Sequence, residues 1–368
     1  MSKNLNPIKR AVGYALIGVV WAVLVALVGA FALLIAVYAD LSSPQRSFLT
    51  RGTGLEAVAR QLYLDYFRPG WQNQVSSVEY DPELVYIPRI GDSPFRGPEF
   101  DHIMKFDPTG VRHQPEVAGA HQELIVVTGD SQAMGWGVAD DETFSAVLAR
   151  RHHLRTVNTA VSSYATAREM LRLRRLGLLA KADVLVIQYC NNDIEENHAF
   201  VADPEGFIQK KNPRSLWDSL GAYRQSPLSF ALVSRLVYQS LREKIKTMGV
   251  RALVRELVAS PLTTAPTGQV VGMPRPAAEM AADFVAVLDH FPELNGKPII
   301  VVEIDDWGTT TDFIPELQRL AATRPNLMPL AIPFQRTEFR RFDNHLNPAG
   351  HEQVAAVVYE AIKPWLKP

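Results

Sequence analysis

Ser131 follows an apolar, β-branched run at residues 124–128 and stands just before a helical pattern. In an open parallel sheet, a side chain at this point lies at the carboxyl edge, where ligands bind. A serine at a strand-to-helix turn is also an ordinary helix N-cap, so its position alone assigns no role. Its hydroxyl becomes a good nucleophile only when a nearby imidazole accepts its proton. A catalytic role for Ser131 therefore requires further polar residues at the same edge.

The Gly-Asp-Ser triplet that ends at Ser131 has a second copy at residues 91–93. Pro94 follows this copy at once, in a stretch rich in Pro and Gly with no helical pattern after it. Pro and Gly commonly mark turns. We therefore expect residues 91–93 to form a turn and Ser93 to take no part in the chemistry.

Three further polar blocks lie just past predicted strands. They read VNTAVSSYATAREML from residue 157, VLVIQYCNNDIEEN from residue 184, and FDNHLNPAGHEQVAAVV from residue 342. Because the carboxyl ends of parallel strands share one edge of a sheet, we expect all three blocks to lie close to Ser131.

With these four blocks in this order, the sequence resembles the SGNH/GDSL hydrolase superfamily. The segments YDPELVYIP, from residue 80, and FDPTGVRH, from residue 106, resemble the upstream segments of its membrane-anchored bacterial members. The resemblance extends from about residue 80 to the C-terminus. It implies a doubly wound α/β fold and a serine hydrolase that acts on ester bonds.

The resemblance also implies a role for each matching position. Ser131 matches the nucleophile, His345 the general base, and Asp343 the carboxylate that orients the base. Asn192 matches the side chain that donates to the oxyanion, and Ser131 and Ser163 would contribute backbone N–H groups to the same oxyanion hole.

Two positions depart from the family pattern. Ser163 stands where the family has a glycine, and its N–H still serves provided that the backbone there does not need angles reserved for glycine. Asp343 and His345 are separated by one residue where many members have two, a spacing that resembles the branch handling acetyl groups on bacterial exopolysaccharides. Asp305 and Asp306, just after a predicted strand at the same edge, are alternatives to Asp343 for orienting the base.

Other candidate residues have simpler interpretations. His351, in the first turn of the final helix, is the rival general base. His152 and His153 end a predicted helix, where an imidazole complements the helix dipole. Cys190 is expected to be a small buried apolar side chain. Trp136 is expected to pack the loop behind the nucleophile, with stacking on a sugar as the alternative.

The elements that must position these residues follow an alternating pattern. Apolar strands are predicted at residues 124–128, 156–158, 184–188, 298–303 and 327–332, with helical patterns between them. Fully apolar strands separated by helices indicate a parallel sheet covered on both faces. We therefore predict an α/β domain at residues 123–368 with a doubly wound, flavodoxin-like parallel sheet of about five strands.

The segment at about residues 194–297 interrupts this alternation and is too long for a simple crossover, so a helical insertion is expected there. A basic helical stretch at about 228–259 is either a packed helix with a solvated face or one that meets a membrane surface or an anionic substrate. Residues 260–276, rich in Pro, Thr and Gly, are expected to form a loop, and a lid over the site is one use for it.

Residues 11–39 contain no charged side chain and are long enough to cross a bilayer, which predicts one N-terminal transmembrane helix. Basic residues precede this stretch and Asp40 follows it, so residues 1–10 should be a cytoplasmic tail. A cleaved secretory signal is the alternative, although the apolar part of such signals is usually about 7–15 residues long. Residues 40–122, rich in Pro, Gly and charge, are expected to form a stalk and collar.

Composition excludes several classes of protein. The 368 residues are 47% hydrophobic and 21% charged, as in globular proteins. A formal charge of −1 provides no basic excess for nucleic acid, so neither DNA nor RNA is an expected partner. The single cysteine excludes an intramolecular disulfide, and no Cys/His spacing suits zinc. No cofactor and no metal are expected.

Together, the motifs and the anchor predict a single-pass protein of the bacterial inner membrane with a periplasmic serine esterase domain. The resemblance implies acyl esters as substrates, with O-acetyl groups on a polysaccharide or cell-wall glycan expected. An O-acyltransferase that uses the same acyl-serine is one alternative, and a non-catalytic scaffold subunit of a membrane complex is another. The presence of Ser131, Asn192 and His345 together argues against the scaffold.

Overall fold

The computed structural model describes residues 7–118, 120–210, 212–222, 226–258, 275–305 and 311–367. Its strands are β1 (Val78–Asp81), β2 (Val85–Pro88), β3 (Gly91–Gly97), β4 (Phe100–Phe106), β5 (Leu124–Thr128), β6 (Arg155–Asn158), β7 (Val184–Tyr189), β8 (Ile299–Glu303) and β9 (Leu327–Leu330). Its helices are α1 (Pro7–Ser42), α2 (Gly54–Leu62), α3 (Ser131–Met134), α4 (Phe144–His152), α5 (Thr166–Arg175), α6 (Leu178–Lys181), α7 (Asp193–Ala202), α8 (Phe207–Lys210), α9 (Pro213–Ala222), α10 (Phe230–Met248), α11 (Val250–Val258), α12 (Ala277–Asp289), α13 (Phe313–Ala321) and α14 (Pro348–Ile362).

In the described part of the chain, five strands form one parallel sheet in the order β6-β5-β7-β8-β9. The order reverses between β5 and β7, which is the flavodoxin-like arrangement and places a ligand site at that point. The predicted doubly wound fold is therefore confirmed. Every residue of β5, β7 and β8 is buried, because helices cover both faces of the sheet.

Each face of the sheet carries its own apolar core. Helices α4 and α14 pack on one face, together with Ile125 and Val127 of β5. Helices α5, α12 and α13 pack on the other face, against Val126. Successive residues of a strand point to opposite faces, so β5 is held by both cores at once. Its carboxyl end is a rigid platform for the residues that follow.

The second Gly-Asp-Ser triplet lies in strand β3, so the predicted turn at residues 91–93 is wrong. Strand β3 pairs with β4 alone as an antiparallel ribbon, in which Pro94 faces Ile103. A two-stranded ribbon consists of edge strands, which tolerate a proline. Ser93 is buried in this ribbon and donates its hydroxyl to the Ser77 hydroxyl at 2.7 Å.

Residue contacts divide the chain into two compact units. One unit comprises Arg68–Gln225 and Thr264–Pro368 and contains all nine strands described above. The other comprises Met1–Phe67 and Ser226–Thr263, and its described helices are α1, α2, α10 and α11.

Helix α1 is long and apolar enough to cross a membrane, with a mean hydropathy of 2.8 in its most apolar window. Its large side chains are exposed from Val12 to Leu33, and burial begins near Val37. The exposed part rises about 34 Å at about 1.5 Å per residue, close to the thickness of a hydrocarbon core. Beyond it, the buried Asp40 carboxylate accepts the backbone N–H of Thr50 at 2.9 Å, which folds the chain back on the end of the helix.

The basic stretch near residues 228–259 is divided into α10 and α11 at Gly249, which has a φ of 80°. Within this unit, the ring of Phe230 contacts those of Phe31 and Tyr38 of α1, at centroid distances of 5.8 and 5.6 Å. Helix α10 thus packs beside the end of the apolar helix. Most of the predicted loop at residues 260–276 lies outside the described residues.

Candidate active site

Three side chains that the sequence places far apart form one hydrogen-bonded chain. His345 Nε2 lies 2.8 Å from Ser131 Oγ, and His345 Nδ1 lies 2.5 Å from Asp343 Oδ1. All three side chains are buried, Asp343 completely. With Nδ1–H donating to the carboxylate, Nε2 has a lone pair aimed at the serine hydroxyl, which is the geometry of a general base.

The turn before Ser131 is built to present its hydroxyl. Gly129 has a φ of 151°, and a Cβ there would lie only 2.6 Å from Gln188 Oε1, so the turn requires glycine. The Asp130 carboxylate caps α3 by accepting the N–H of Gln132 at 2.8 Å. Ser131 is therefore the first residue of a short helix that begins just after β5.

Gln188 of β7 supports this turn from the neighbouring strand. Its Oε1 accepts the backbone N–H of Asp130 at 3.0 Å and that of Ala133 at 3.2 Å. These two residues lie on either side of Ser131 in the chain, and Gln188 is itself completely buried. A glutamine in an apolar strand carries no motif signal, so the sequence alone does not mark Gln188.

Trp136 holds the other two members of the triad. Its indole ring stacks on the His345 ring, with centroids 4.5 Å apart and planes 7° apart, and its Nε1–H donates to Asp343 Oδ2 at 3.1 Å. Burial alone would raise the pKa of Asp343, but the nearby His345, Arg68 and Arg340 hold it below the ordinary range. Asp343 therefore stays ionised and keeps the imidazole in one tautomer.

Glu99 fixes the loop that carries Asp343. Its carboxylate accepts the backbone N–H groups of Arg341 at 2.7 Å, Phe342 at 2.9 Å and Asp343 at 2.9 Å. Burial raises the pKa of Glu99 above its usual value, although these three donors oppose the shift. Glu99 lies in the segment predicted as a collar, and nothing in its sequence context marked it.

The expected oxyanion donors lie on neighbouring loops. Asn192 Nδ2 donates to Asp130 Oδ2 at 2.9 Å, which uses one of its two N–H bonds and leaves the other for a ligand. Ser163 has a φ of 61°, in the left-handed region that favours glycine. The backbone at Ser163 therefore does use angles that favour glycine. The serine keeps its N–H, but it adopts this conformation at a cost in free energy.

The loop of Ser163 is held on three sides. Tyr86 donates its hydroxyl to Ser162 O at 2.5 Å, and Arg168 Nη2 donates to Ser163 O at 2.5 Å. Gln72 donates to Ser163 Oγ and accepts from Ser162 Oγ, both at 3.0 Å. These bonds supply the energy that keeps the left-handed residue in place.

The rival general base, His351, has a different setting. It is buried, and its Nδ1 accepts the backbone N–H of Phe144 at 3.2 Å. Burial lowers the pKa of His351 to about 3, so the ring is neutral at ordinary pH. Its position matches a structural role that ties α14 to α4.

The remaining candidates lie apart from the hydrogen-bonded triad. His152 stacks on Tyr359, and His153 ends α4 in the left-handed conformation. Asp305 accepts a bond from the Cys190 thiol at 3.4 Å, and Asp306 lies outside the described residues. The geometry thus favours Asp343 as the carboxylate that orients His345.

One group in the described residues has ligand atoms close enough to hold a metal ion: His198, Glu279 and Asp283. His198 Nδ1 already bonds Asp283 at 2.9 Å, and Arg275 pairs with Glu279 at 2.7 Å. The guanidinium competes with any cation for that carboxylate. None of these residues bonds to the triad.

Neither a protein-family model nor a curated protein matches the chain. Among solved structures, a lipolytic protein of the G-D-S-L family from Desulfitobacterium hafniense is 12% identical, with 65% of this chain and 99% of that chain covered and a TM-score of 0.36. The esterase EstA from Pseudoalteromonas sp. is 11% identical, with 66% and 98% covered and a TM-score of 0.37. A family two carbohydrate esterase from Clostridium thermocellum, solved with cellohexaose, is 12% identical, with 69% of each chain covered and a TM-score of 0.39.

Proposed function

We propose that the chain is a membrane-anchored serine esterase that hydrolyses acyl esters, with O-acetyl groups of an extracellular or cell-wall polysaccharide as its substrates. The observation that carries the proposal is the continuous chain of hydrogen bonds from Ser131 through His345 to Asp343. A buried serine, an imidazole and a carboxylate in this order are the parts that acyl transfer needs.

The reaction follows from the positions of these atoms. Ser131 Oγ attacks the ester carbonyl carbon while His345 Nε2 takes the hydroxyl proton. The second amide N–H of Asn192 and the backbone N–H groups of Ser131 and Ser163 stabilise the negative oxygen. The bond to the sugar oxygen breaks as His345 returns the proton to it, which leaves an acyl group on Ser131. Water then attacks the acyl-serine, with His345 again as base, and releases the acid.

The choice of an O-acetylated glycan as substrate rests on the one-residue spacing between Asp343 and His345, which resembles that of the exopolysaccharide branch.

The proposed cell compartment rests on α1 and on the basic residues before it. A periplasm-only reporter fused after Pro368 should be active, and a reporter that works only in the cytoplasm should be silent. Alkaline washing should leave the protein in the membrane, whereas a cleaved signal would give a soluble product.

The test of the activity uses the full chain in detergent. The wild type should hydrolyse p-nitrophenyl acetate, and Ser131→Ala should lower the rate on the order of 10⁴-fold or more. Ser93→Ala is the matched control, because it alters the same triplet in the β3 ribbon. It should retain most of the rate even where its melting temperature falls. Equal losses in the two variants would refute the assignment of Ser131.

The fate of the acyl-serine separates hydrolysis from transfer. An acetylated glycan incubated with the protein should release acetate to water, at a rate that added deacetylated glycan barely changes. The described chain has one candidate span, so it brings no multi-span domain of its own to carry an acyl donor across a membrane. Acetylation of the added glycan, with slow appearance of free acetate, would instead show an acyltransferase.

A further inference from the structure

A surface cavity of about 160 Å³ lies between the segment after Arg68 and helix α9. Its lining includes Gln72, Asn73, Val75, Trp217, Asp218 and Leu220. At roughly 30 Å³ of liquid volume per water molecule, the cavity has room for about five waters, or for one sugar ring. Val75 is 65% exposed, so the cavity opens to solvent.

The segment that forms one wall of this cavity also contacts the loop that carries Asp343 and His345. Arg68 Nη1 donates at 2.9 Å to Oδ1 of Asn344, the residue between Asp343 and His345. Four residues later, Gln72 bonds the hydroxyls of Ser162 and Ser163. The segment therefore follows the rim of the active site from the base to the oxyanion loop, and the cavity adjoins it at the oxyanion end.

The same segment is firmly anchored. Trp71 is completely buried, packs on Phe106 with ring centroids 5.5 Å apart, and donates its Nε1–H to the buried Ser93 hydroxyl at 3.3 Å. This bond gives a structural purpose to the second Gly-Asp-Ser triplet. Because Trp71 cannot move without breaking it, the neighbouring Gln72 and Asn73 are presented to the cavity by a fixed backbone.

Asn73 is one of the polar residues that line the cavity. Its Oδ1 has almost no accessible surface and no hydrogen-bond partner among the described residues, so it gains a donor from the cavity only when the amide turns toward it. Beside it are the indole of Trp217 and the carboxylate of Asp218. An aromatic face with amide and carboxylate oxygens suits a sugar, whose C–H face is apolar and whose hydroxyls donate.

We propose that this cavity is a subsite for one sugar unit of a glycan, next to the unit whose ester reaches Ser131. The inference rests on the proposed esterase function and adds a residue-level account of how a polymeric substrate is held. Trp217 stacks on the sugar ring, and the amide of Asn73 turns toward the cavity so that its oxygen accepts a hydrogen bond from one of the sugar hydroxyls. A small ester without a sugar reaches Ser131 and makes neither contact.

The experiment compares two substrates in the full chain. Chemically acetylated cellohexaose and xylohexaose are the glycan probes, and p-nitrophenyl acetate is the small ester. Trp217→Ala and Asn73→Ala should each raise KM for the preferred glycan probe about tenfold, the scale of one lost aromatic or hydrogen-bond contact. Both variants should stay within about twofold of the wild type on p-nitrophenyl acetate. Trp365→Ala, at an exposed tryptophan near the C-terminus, is the matched control and should change neither.

The outcomes distinguish the subsite from the activity. Absence of p-nitrophenyl acetate hydrolysis by the wild type would overturn the proposed esterase function. The subsite alone would be overturned if the wild type is active but Trp217→Ala leaves the KM for the glycan unchanged. It would also be overturned if Trp217→Ala lowers the activity on both substrates equally. Binding is measured separately, by tryptophan fluorescence with the deacetylated hexaoses. Absence of saturable binding to either one would also overturn the subsite.

Discussion

At the scale of single residues, the two buried histidines near the nucleophile differ in what their nitrogens face. His345 Nε2 faces a hydroxyl and its Nδ1 a carboxylate, whereas His351 Nδ1 accepts a backbone N–H. The first arrangement has the geometry of a general base, whereas burial lowers the pKa of His351, so that its ring is uncharged at ordinary pH.

We expect His345→Ala to lower kcat/KM for p-nitrophenyl acetate on the order of 10⁴-fold or more. His351→Gln, which keeps an acceptor near Phe144, should retain most of the activity. Its cost should appear as lower thermal stability, of about 1–3 kcal/mol for a perturbed buried hydrogen bond. Rates and melting curves of both variants check this. Full activity in His345→Ala would mean that another base operates.

Ser163 provides a second test at this scale, because its φ of 61° penalises any side chain with a Cβ. Ser163→Gly and Ser163→Ala both lose the hydroxyl that contacts Gln72, and both keep the backbone N–H. We expect the glycine variant to be more stable than the alanine variant by about 1 kcal/mol, measured by urea unfolding. Equal stabilities would show that the left-handed conformation carries no strain.

At the scale of elements, the site combines strand ends with an anchored loop. Strands β5, β6 and β7 lead directly to Ser131, Ser163 and Asn192, whereas the loop before α14 brings Asp343 and His345. A strand end is held by its sheet, but a loop needs separate support. Glu99 supplies it with three backbone hydrogen bonds.

Glu99→Gln should therefore impair the positioning of Asp343 and leave substrate binding intact. The amide retains one acceptor oxygen and places an NH₂ group against backbone donors, so we expect kcat to fall about tenfold or more with little change in KM. Glu99→Ala should lose more. Glu83→Gln, at an exposed carboxylate upstream, is the control. A rise in KM at constant kcat would indicate that Glu99 acts on substrate binding.

At the scale of the whole molecule, buried carboxylic acids make stability depend on pH. Burial raises the pKa of Glu303 to about 7, and it raises that of Asp193 to about 8. Between the usual carboxyl pKa of about 4 and these raised pKa values, each group is ionised in the unfolded chain but keeps its proton in the folded protein. The folded state then binds more protons, so the free energy of unfolding falls as the pH rises through this window.

We expect the free energy of unfolding of the detergent-solubilised chain to decrease from pH 5 to pH 8. Glu303→Gln should flatten the decrease below pH 7, because the neutral amide preserves an acceptor for Thr311 and removes the titration. The contribution of this one group is on the order of 3 kcal/mol. Urea unfolding at several pH values measures it, and an unchanged slope in the variant would exclude Glu303 as the source.

Local sequence patterns predict the fold class, and the resemblance of the motif blocks to a known family supplies the candidate triad. Apolar strand runs such as Leu124–Thr128 reveal a sheet covered on both faces, and the polar blocks keep their order after those strands. The same local reasoning failed for Ser93, where Pro94 suggested a turn and pairing with β4 produced an edge strand. Pairing between strands depends on a partner that local sequence does not show.

The groups that support the triad are visible only in the folded chain. Glu99 and Gln188 contact backbone N–H groups of residues far away in the chain, and no spacing or residue pattern records such a contact. The structure likewise brought Trp136 onto His345 and showed that Ser163 adopts a left-handed backbone. A buried polar side chain is chosen by the donors that folding places around it, so its role becomes visible only once the chain has folded.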